Sequence, residues 1–354
     1  MGNQATCMSA EDVKEVGRSG SARKGRSQRK MRAEEEALHR QALAMAIQQH
    51  SQRFDGSMSR RILGANGKQN LPGVSSSRRR DLSESFAHLK LAPEIFDSLE
   101  TKKIVLIHGE GFGAWCWFKS IALLEEAGFL PIALDLAGSG TNGTDANSIT
   151  SLSEYAKPLT DYLCSLPENE KVILVGHSCG GACIAYALEL YPKKISKAVF
   201  LSATMLSNGQ RPFDVFAEEL ASADLFSPES KLLMYGNGKD VPPTGLKLQK
   251  HHIKGLYFNQ STAKDIALAG VSMRPIPLGP IMERLSLTQE NYGSVRRFFI
   301  QTLDDRVLSP DIQEKMVREN TPEKVYKIKG SDHCPFFSKP QSLHKLLVEI
   351  TQLP

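Results

Sequence analysis

The sequence predicts an α/β fold with a mainly parallel sheet and helices on both of its faces. From about Lys102 onward, short apolar runs alternate with segments that carry the apolar spacing of a helix. The runs are apolar at consecutive positions rather than at every second one, which is typical of strands buried on both faces. Strands that alternate with helices in this way are expected to pair in parallel.

A series of strands, helices and one long insertion makes up this pattern. The predicted strands lie at 103–109, 130–136, 171–177, 196–203, 295–302 and 324–330. The helices are expected at about 115–127, at 151–166, directly after Ser178, and at 339–351. Residues 205 to 290 lose the alternation and are too long for a crossover, so they are predicted to form an inserted lid of helices and loops.

The chain is predicted to divide into a basic extension, residues 1–95, and a folded domain, residues 96–354. The whole chain has 44 Lys+Arg and 39 Asp+Glu, which gives a net charge of +5. Residues 1–90 contain 17 of the basic and 9 of the acidic residues, so this part carries +8 and the remainder −3. The extension has little apolar content and is expected to be largely disordered. Because the positive charge is not a property of the domain, we expect no nucleic-acid partner. The sequence does not predict an oligomeric state.

The cysteines and the apolar runs indicate an intracellular protein. The six cysteines have no CxxC spacing and no signal peptide precedes them, so we expect reduced thiols and no metal site. The longest apolar runs are strand-sized and fall short of the roughly 20 residues that a membrane span needs.

A serine stands on a sharp corner between a strand and a helix. The stretch 171–192 reads KVILVGHSCGGACIAYALELYP, and the motif Gly-His-Ser-Cys-Gly follows the apolar run at once. In a G-x-S-x-G corner the turn is so tight that the serine side chain stands clear of the sheet, and the small residues let backbone and helix approach. The N-terminus of the following helix favours an anion there. Ser178 is therefore predicted to be a nucleophile.

Candidates for a base and for its carboxylate follow two later strands. A serine nucleophile needs a histidine base that a carboxylate orients, in the chain order serine, acid, histidine. FFIQTLDDRVLSP places Asp304 and Asp305 just past one strand, and KIKGSDHCPFF places His333 just past the next. Spacing alone does not choose between Asp304 and Asp305. Asp332 adjoins His333 in sequence and is predicted to shape the loop.

Backbone donors for an oxyanion are expected at two places. One is the N–H of Cys179, the residue after the serine, and the other comes from the loop HGEGFGAW at 108–115. The glycines of this loop let its backbone fold against a substrate carbonyl. His108 and His177 lie beside these tight turns and are predicted to be structural.

These motifs resemble the plant methyl esterases of the α/β-hydrolase superfamily over residues 102–352. The resemblance rests on HGEGFGAWCWFKSIALLEEAGF, ALDLAGSG, KVILVGHSCGGACIAYALELYPKKISKAVFL, NYGSVRRFFIQTLDDRVL and KIKGSDHCPFFSKPQSLHKLL. NGKDVPPTG and ALAGVSMRPIPLGP resemble the branch with a long basic N-terminal extension, which is usually called chloroplastic. The resemblance implies an α/β-hydrolase fold with a lid. It also implies hydrolysis of methyl esters of small carboxylic acids such as indole-3-acetate, jasmonate and salicylate.

The resemblance also assigns roles to residues. It implies Ser178 as nucleophile, His333 as base and Asp305 as its partner, with oxyanion donors at the backbones of Glu110 and Cys179. No metal or organic cofactor is needed for this chemistry. Most relatives have a small residue where Glu110 stands. We expect its side chain to point away from the site, because an inward carboxylate would oppose a developing oxyanion.

Two other functions stay open as alternatives. A ligand receptor with a hydrolase fold would bind without turnover, although the complete set of serine, acid and histidine favours catalysis. Hydroxynitrile lyases of the same superfamily resemble this fold but carry Thr after the first-strand His and Lys after the catalytic His. Here these positions are Gly109 and Cys334, which favours ester hydrolysis.

The first residues predict a location in two incompatible ways. MGNQATC matches the acylation pattern M-G-x-x-x-[ST], so Gly2 could carry myristate and Cys7 palmitate, and two such signals hold a protein at a membrane surface. The basic, Ser-containing composition is instead compatible with a plastid transit peptide. Glu11, Asp12 and Glu15 are acidic residues of a kind that transit peptides usually lack.

Overall fold

The computed structural model describes residues 93–220 and 231–354, and its main element is a parallel sheet. The strands are β1 (Lys103–Ile107), β2 (Leu130–Leu134), β3 (Val172–Ser178), β4 (Ile195–Ala203), β5 (Lys231–Met234), β6 (Gly245–Leu248), β7 (Ile276–Pro277), β8 (Arg296–Thr302) and β9 (Lys324–Ile328). The α-helices are α1 (Pro93–Asp97), α2 (Phe118–Glu126), α3 (Leu152–Tyr155), α4 (Lys157–Ser165), α5 (Gly180–Leu190), α6 (Pro212–Leu220), α7 (Lys250–Leu256), α8 (Ala263–Ser272), α9 (Gly279–Met282), α10 (Pro310–Glu319), α11 (Pro335–Ser338) and α12 (Pro340–Gln352).

Six strands form this sheet in the order β2-β1-β3-β4-β8-β9, and every neighbouring pair is parallel. All residues of β3 and β4 are buried, so other elements cover both faces of the sheet centre. Because the strands run in the same direction, the loops after β1, β3, β8 and β9 open at one edge. The candidate catalytic residues all lie at this edge: Ser178 ends β3, and Asp305 and His333 lie in the loops after β8 and β9.

The helix predicted over 151–166 is two helices, α3 and α4. Ser151 and Glu154 form a capping box that starts α3. Pro158 lies in the first turn of α4, where its missing N–H is tolerated, whereas inside a continuous helix it would remove a hydrogen bond. The predicted single helix is therefore wrong at this proline.

The insertion contains a small sheet that the sequence does not predict. β5, β6 and β7 pair in antiparallel fashion in that order, and the same insertion also contains the helices α6 to α9. The prediction of helices and loops alone is thus wrong for this part. These strands are two to four residues long, too short to produce a recognisable alternation in sequence.

The predicted N-terminal extension, with Gly2 and Cys7, lies outside the described residues apart from its last few positions. In the two described ranges no helix is both long enough and apolar enough to cross a membrane.

Candidate active site

Ser178 ends β3 at a tight corner before α5. Its φ of 51° lies in the left-handed region, which is rare for a residue other than glycine and is typical of a strained functional corner. The two flanking glycines are required by close approach: a Cβ atom at Gly176 would lie 2.8 Å from the Gly180 carbonyl oxygen, and one at Gly180 only 2.6 Å from the His108 carbonyl oxygen. The corner therefore holds the serine hydroxyl at the loop edge of the sheet.

Three side chains from separate loops form a continuous chain of hydrogen bonds. Ser178 Oγ lies 2.9 Å from His333 Nε2, and His333 Nδ1 lies 2.8 Å from Asp305 Oδ2. Asp305 Oδ1 also accepts the N–H groups of Val307 and Leu308 at 2.8 and 2.9 Å. A neutral histidine that donates through Nδ1 can accept the serine proton at Nε2, so the arrangement suits nucleophilic catalysis.

The surroundings of His333 favour its protonated form. Burial alone would lower the pKa of His333, but the carboxylates of Asp305, Glu110 and Asp332 outweigh this and raise it above 6.5. The carbonyl oxygen of His333 accepts a hydrogen bond from His177 Nε2 at 2.7 Å. His177 thus positions the backbone of the loop, the structural role predicted for it.

Asp332 shapes the loop that carries His333 and does not contact the imidazole through a hydrogen bond. Its Oδ1 accepts the Cys334 N–H at 3.0 Å, and its Oδ2 accepts the Gln260 N–H and the Ser261 hydroxyl at 2.9 and 2.7 Å. Burial raises the pKa of Asp332, although these hydrogen bonds oppose the change. The histidine loop is in this way tied to the insertion.

Asp135 holds the loop after β1, a role that sequence reasoning missed. Its carboxylate accepts the Ala114 N–H at 2.7 Å and the Thr141 N–H at 2.9 Å. His108 stabilises the start of the same loop, because its Nε2 accepts the Leu136 N–H at 3.0 Å. The stretch ALDLAGSG contains Asp135 and was the available signal, but the sequence does not show which backbone N–H groups this carboxylate accepts.

The side chain of Glu110 points into the site, so the prediction that it points away is wrong. Its Oε2 accepts the Cys179 N–H at 3.2 Å, and its Oε1 accepts the Tyr257 hydroxyl at 2.8 Å. All three residues are buried, Glu110 being 6% exposed. Tyr257 explains the difference, because its hydroxyl comes from the insertion and offers a buried carboxylate a hydrogen bond. Sequence reasoning missed Tyr257 and had no local signal for it.

The other side chains of the described residues form no metal centre. Within 93–220 and 231–354, no group of three or more His, Cys, Asp or Glu side chains could hold a metal ion. The five cysteines of these ranges are free thiols. Burial raises the pKa of the Cys179 thiol far above its usual value, so this neighbour of Ser178 stays a thiol near neutral pH.

Known proteins resemble this chain in sequence and in fold. Residues 104–345 match the model of the alpha/beta hydrolase family. The chain is 63% identical over 361 residues to "Putative methylesterase 12, chloroplastic" of Arabidopsis thaliana, with all of both chains covered. The crystal structure of a methylesterase protein from Arabidopsis has a TM-score of 0.63 at 33% identity and covers 70% of this chain and 98% of that one. Tomato methylketone synthase I, complexed with 2-tridecanone, has a TM-score of 0.65 at 38% identity and covers 71% and 97%.

Proposed function

The chain belongs to the methylesterase family of the α/β hydrolases, and from this premise we propose that it hydrolyses methyl esters of small carboxylic acids such as indole-3-acetate, jasmonate and salicylate. The observation that carries the proposal is the hydrogen-bonded array of Ser178, His333 and Asp305. The relatives support a methyl ester hydrolase, while the identity of the acid is our proposal.

The proposed mechanism is acyl transfer in two steps. Ser178 Oγ attacks the ester carbonyl carbon while His333 Nε2 takes its proton, and Asp305 stabilises the imidazolium that forms. The tetrahedral oxyanion is stabilised by the backbone N–H groups of Glu110 and Cys179. His333 then gives the proton to the leaving methoxide, and methanol departs. Water activated by His333 cleaves the acyl-enzyme and releases the carboxylic acid.

The aromatic surroundings of the array support an apolar acyl group. Rings of Phe112 and Phe336 lie 5.8 and 4.9 Å from the His177 ring, and the Tyr257 ring lies 5.3 Å from that of His333. Ser178 and His333 are themselves fully buried. A site enclosed in this way favours small apolar substrates, because a desolvated charge on the acyl group would be costly.

Gly109 supplies an argument against lyase chemistry. A Cβ atom at this position would lie 2.8 Å from Ser178 Cβ and 2.9 Å from His177 Nδ1. The threonine that the hydroxynitrile lyase pattern requires therefore has no room here without displacement of the nucleophile. Cys334 likewise offers no positive charge to departing cyanide, which supports ester hydrolysis.

Hydrolysis of the three methyl esters by the purified full chain tests the proposal. We expect turnover that falls by at least about 10³-fold in Ser178→Ala. Ser120→Ala is the matched control, because Ser120 Oγ is also buried and has no hydrogen-bond partner among the described residues. Turnover that survives in Ser178→Ala would assign the reaction to another nucleophile. Saturable binding without turnover would indicate a receptor.

We also propose that the protein is located in the chloroplast. The relative at 63% identity is named chloroplastic and matches this chain from end to end. Acylation at Gly2 and Cys7, with attachment to a membrane surface, is the alternative that the first residues support.

A further inference from the structure

The carboxylate of Glu110 occupies part of the proposed oxyanion hole. Its Oε2 accepts the hydrogen bond of the Cys179 N–H, the donor that the substrate oxyanion needs. The ion pairs of the described residues do not include Glu110, so no cation explains its burial. A substrate carbonyl oxygen and Glu110 Oε2 cannot use this N–H in the same place at the same time. The carboxylate must therefore leave before the reaction proceeds.

The two oxygens of Glu110 also mark a second donor. Oε1 accepts the Tyr257 hydroxyl at 2.8 Å, so the Cys179 N–H and the Tyr257 O–H are spaced to bind two oxygens on one carbon. An ester, its tetrahedral intermediate and the carboxylic acid product all present that pattern. The carboxylate of Glu110 therefore mimics the two oxygens of the reacting ester group.

We propose that Tyr257 is a further catalytic residue whose hydroxyl donates to the second oxygen of the reacting ester, and that Glu110 is the resting occupant that substrate displaces. The inference rests on the proposed ester hydrolysis at Ser178. Donors aimed at developing charge typically contribute about 10²–10³-fold to the rate each, so an occupied hole keeps the resting enzyme slow. An inward carboxylate also opposes the developing negative charge after the donor is freed.

The rate at which a fluorophosphonate modifies Ser178 tests the inference, because the adduct places a phosphoryl oxygen in the same hole. The serine oxygen displaces fluoride from phosphorus, and His333 accepts the serine proton. We expect Glu110→Ala to react at least about tenfold faster than the wild type. In the Glu110→Ala background, Tyr257→Phe is expected to lower the rate again by about tenfold or more. Tyr292→Phe, which removes a hydroxyl bonded to Asn320 outside the site, is the matched control.

The sign of the Tyr257 effect separates catalysis from a structural role. In the wild-type background, Tyr257→Phe removes a hydrogen bond that holds Glu110 in place, so we expect the labelling of Ser178 not to slow. In the Glu110→Ala background, the same substitution removes only a donor to the reacting group, so we expect the labelling to slow. Equal slowing in both backgrounds, or a Glu110→Ala variant no faster than the wild type, would overturn the inference. Glu110→Gln preserves the shape of the side chain and serves if Glu110→Ala does not fold. We expect it to react faster than the wild type.

This readout is independent of the natural substrate. A chain whose Ser178 reacts as described but which turns over no methyl ester would refute the proposed substrate class and leave the roles of Tyr257 and Glu110 at Ser178 standing. Turnover of methyl esters, together with a labelling rate in Glu110→Ala equal to that of the wild type, would support the proposed function and refute the inference.

Discussion

Replacement of Gly180 by alanine perturbs a close approach between backbones at the nucleophile corner. A Cβ atom there would lie 2.6 Å from the His108 carbonyl oxygen and 3.0 Å from that of Ile107. Both contacts are with backbone, so strand β1 or helix α5 has to move by roughly half an ångström. Overpacking of this kind costs about 1–3 kcal/mol. In a domain of this size the Tm falls by roughly 2–4 °C per kcal/mol.

Thermal unfolding followed by circular dichroism measures this loss. The matched control is Gly270→Ala in α8, where a Cβ atom meets nothing within 4 Å. Alanine is favoured over glycine inside a helix by roughly 0.5–1 kcal/mol, so the control should melt at or above the wild-type temperature. A Gly180→Ala variant that melts with the wild type would refute the argument that close packing fixes the corner.

Three further predictions concern the base, its pH dependence and the N-terminus. Asp305→Asn should lower kcat by about 10⁴-fold, as in the serine protease triad, and an unchanged kcat would remove Asp305 from the mechanism. The raised pKa of His333 means that kcat/KM should rise with pH with a midpoint above 6.5. Glu110→Gln removes one of the carboxylates that raise it, so the midpoint should move to lower pH; a fixed midpoint would contradict this. If the wild-type chain follows the alternative and incorporates labelled myristate, Gly2→Ala should abolish the incorporation, and labelling that persists in Gly2→Ala would exclude acylation at this residue.

The α/β-hydrolase fold is confirmed. The sequence predicts its parallel sheet because buried parallel strands are apolar at consecutive positions, and the resemblance of the motifs implies the hydrolase fold. Every residue of β3 and β4 is buried, as their apolar runs indicate. The small sheet of the insertion is not predictable in this way. β6 pairs with β7 through Gly245 and Pro277, which are distant in sequence and carry no strand signal of their own.

The sequence predicts those residues of the candidate site that their order along the chain identifies. It does not predict those that only burial in the folded domain identifies. Ser178 and His333 follow from their positions after strands, but spacing leaves Asp304 and Asp305 equal. The structure separates them, because Asp305 is buried against His333 while Asp304 is exposed. The direction of Glu110 depends on Tyr257, 147 residues further along the chain, and no local pattern encodes such a contact.

The hydrogen bonds between the insertion and the loops of the sheet have a consequence for timing. Arg274 N–H donates to the Gly111 carbonyl at 2.9 Å, Tyr257 to Glu110, and two further donors of the insertion to Asp332. At a net value of about 1 kcal/mol each, parting these four hydrogen bonds alone requires roughly 3–4 kcal/mol, so at most about one molecule in several hundred is open at any moment. Association rate constants of about 10⁵–10⁷ M⁻¹s⁻¹ would then fall to roughly 10²–10⁴ M⁻¹s⁻¹. Substrate capture by this rare open form, rather than acyl transfer, would limit kcat/KM and make the enzyme sensitive to solvent viscosity.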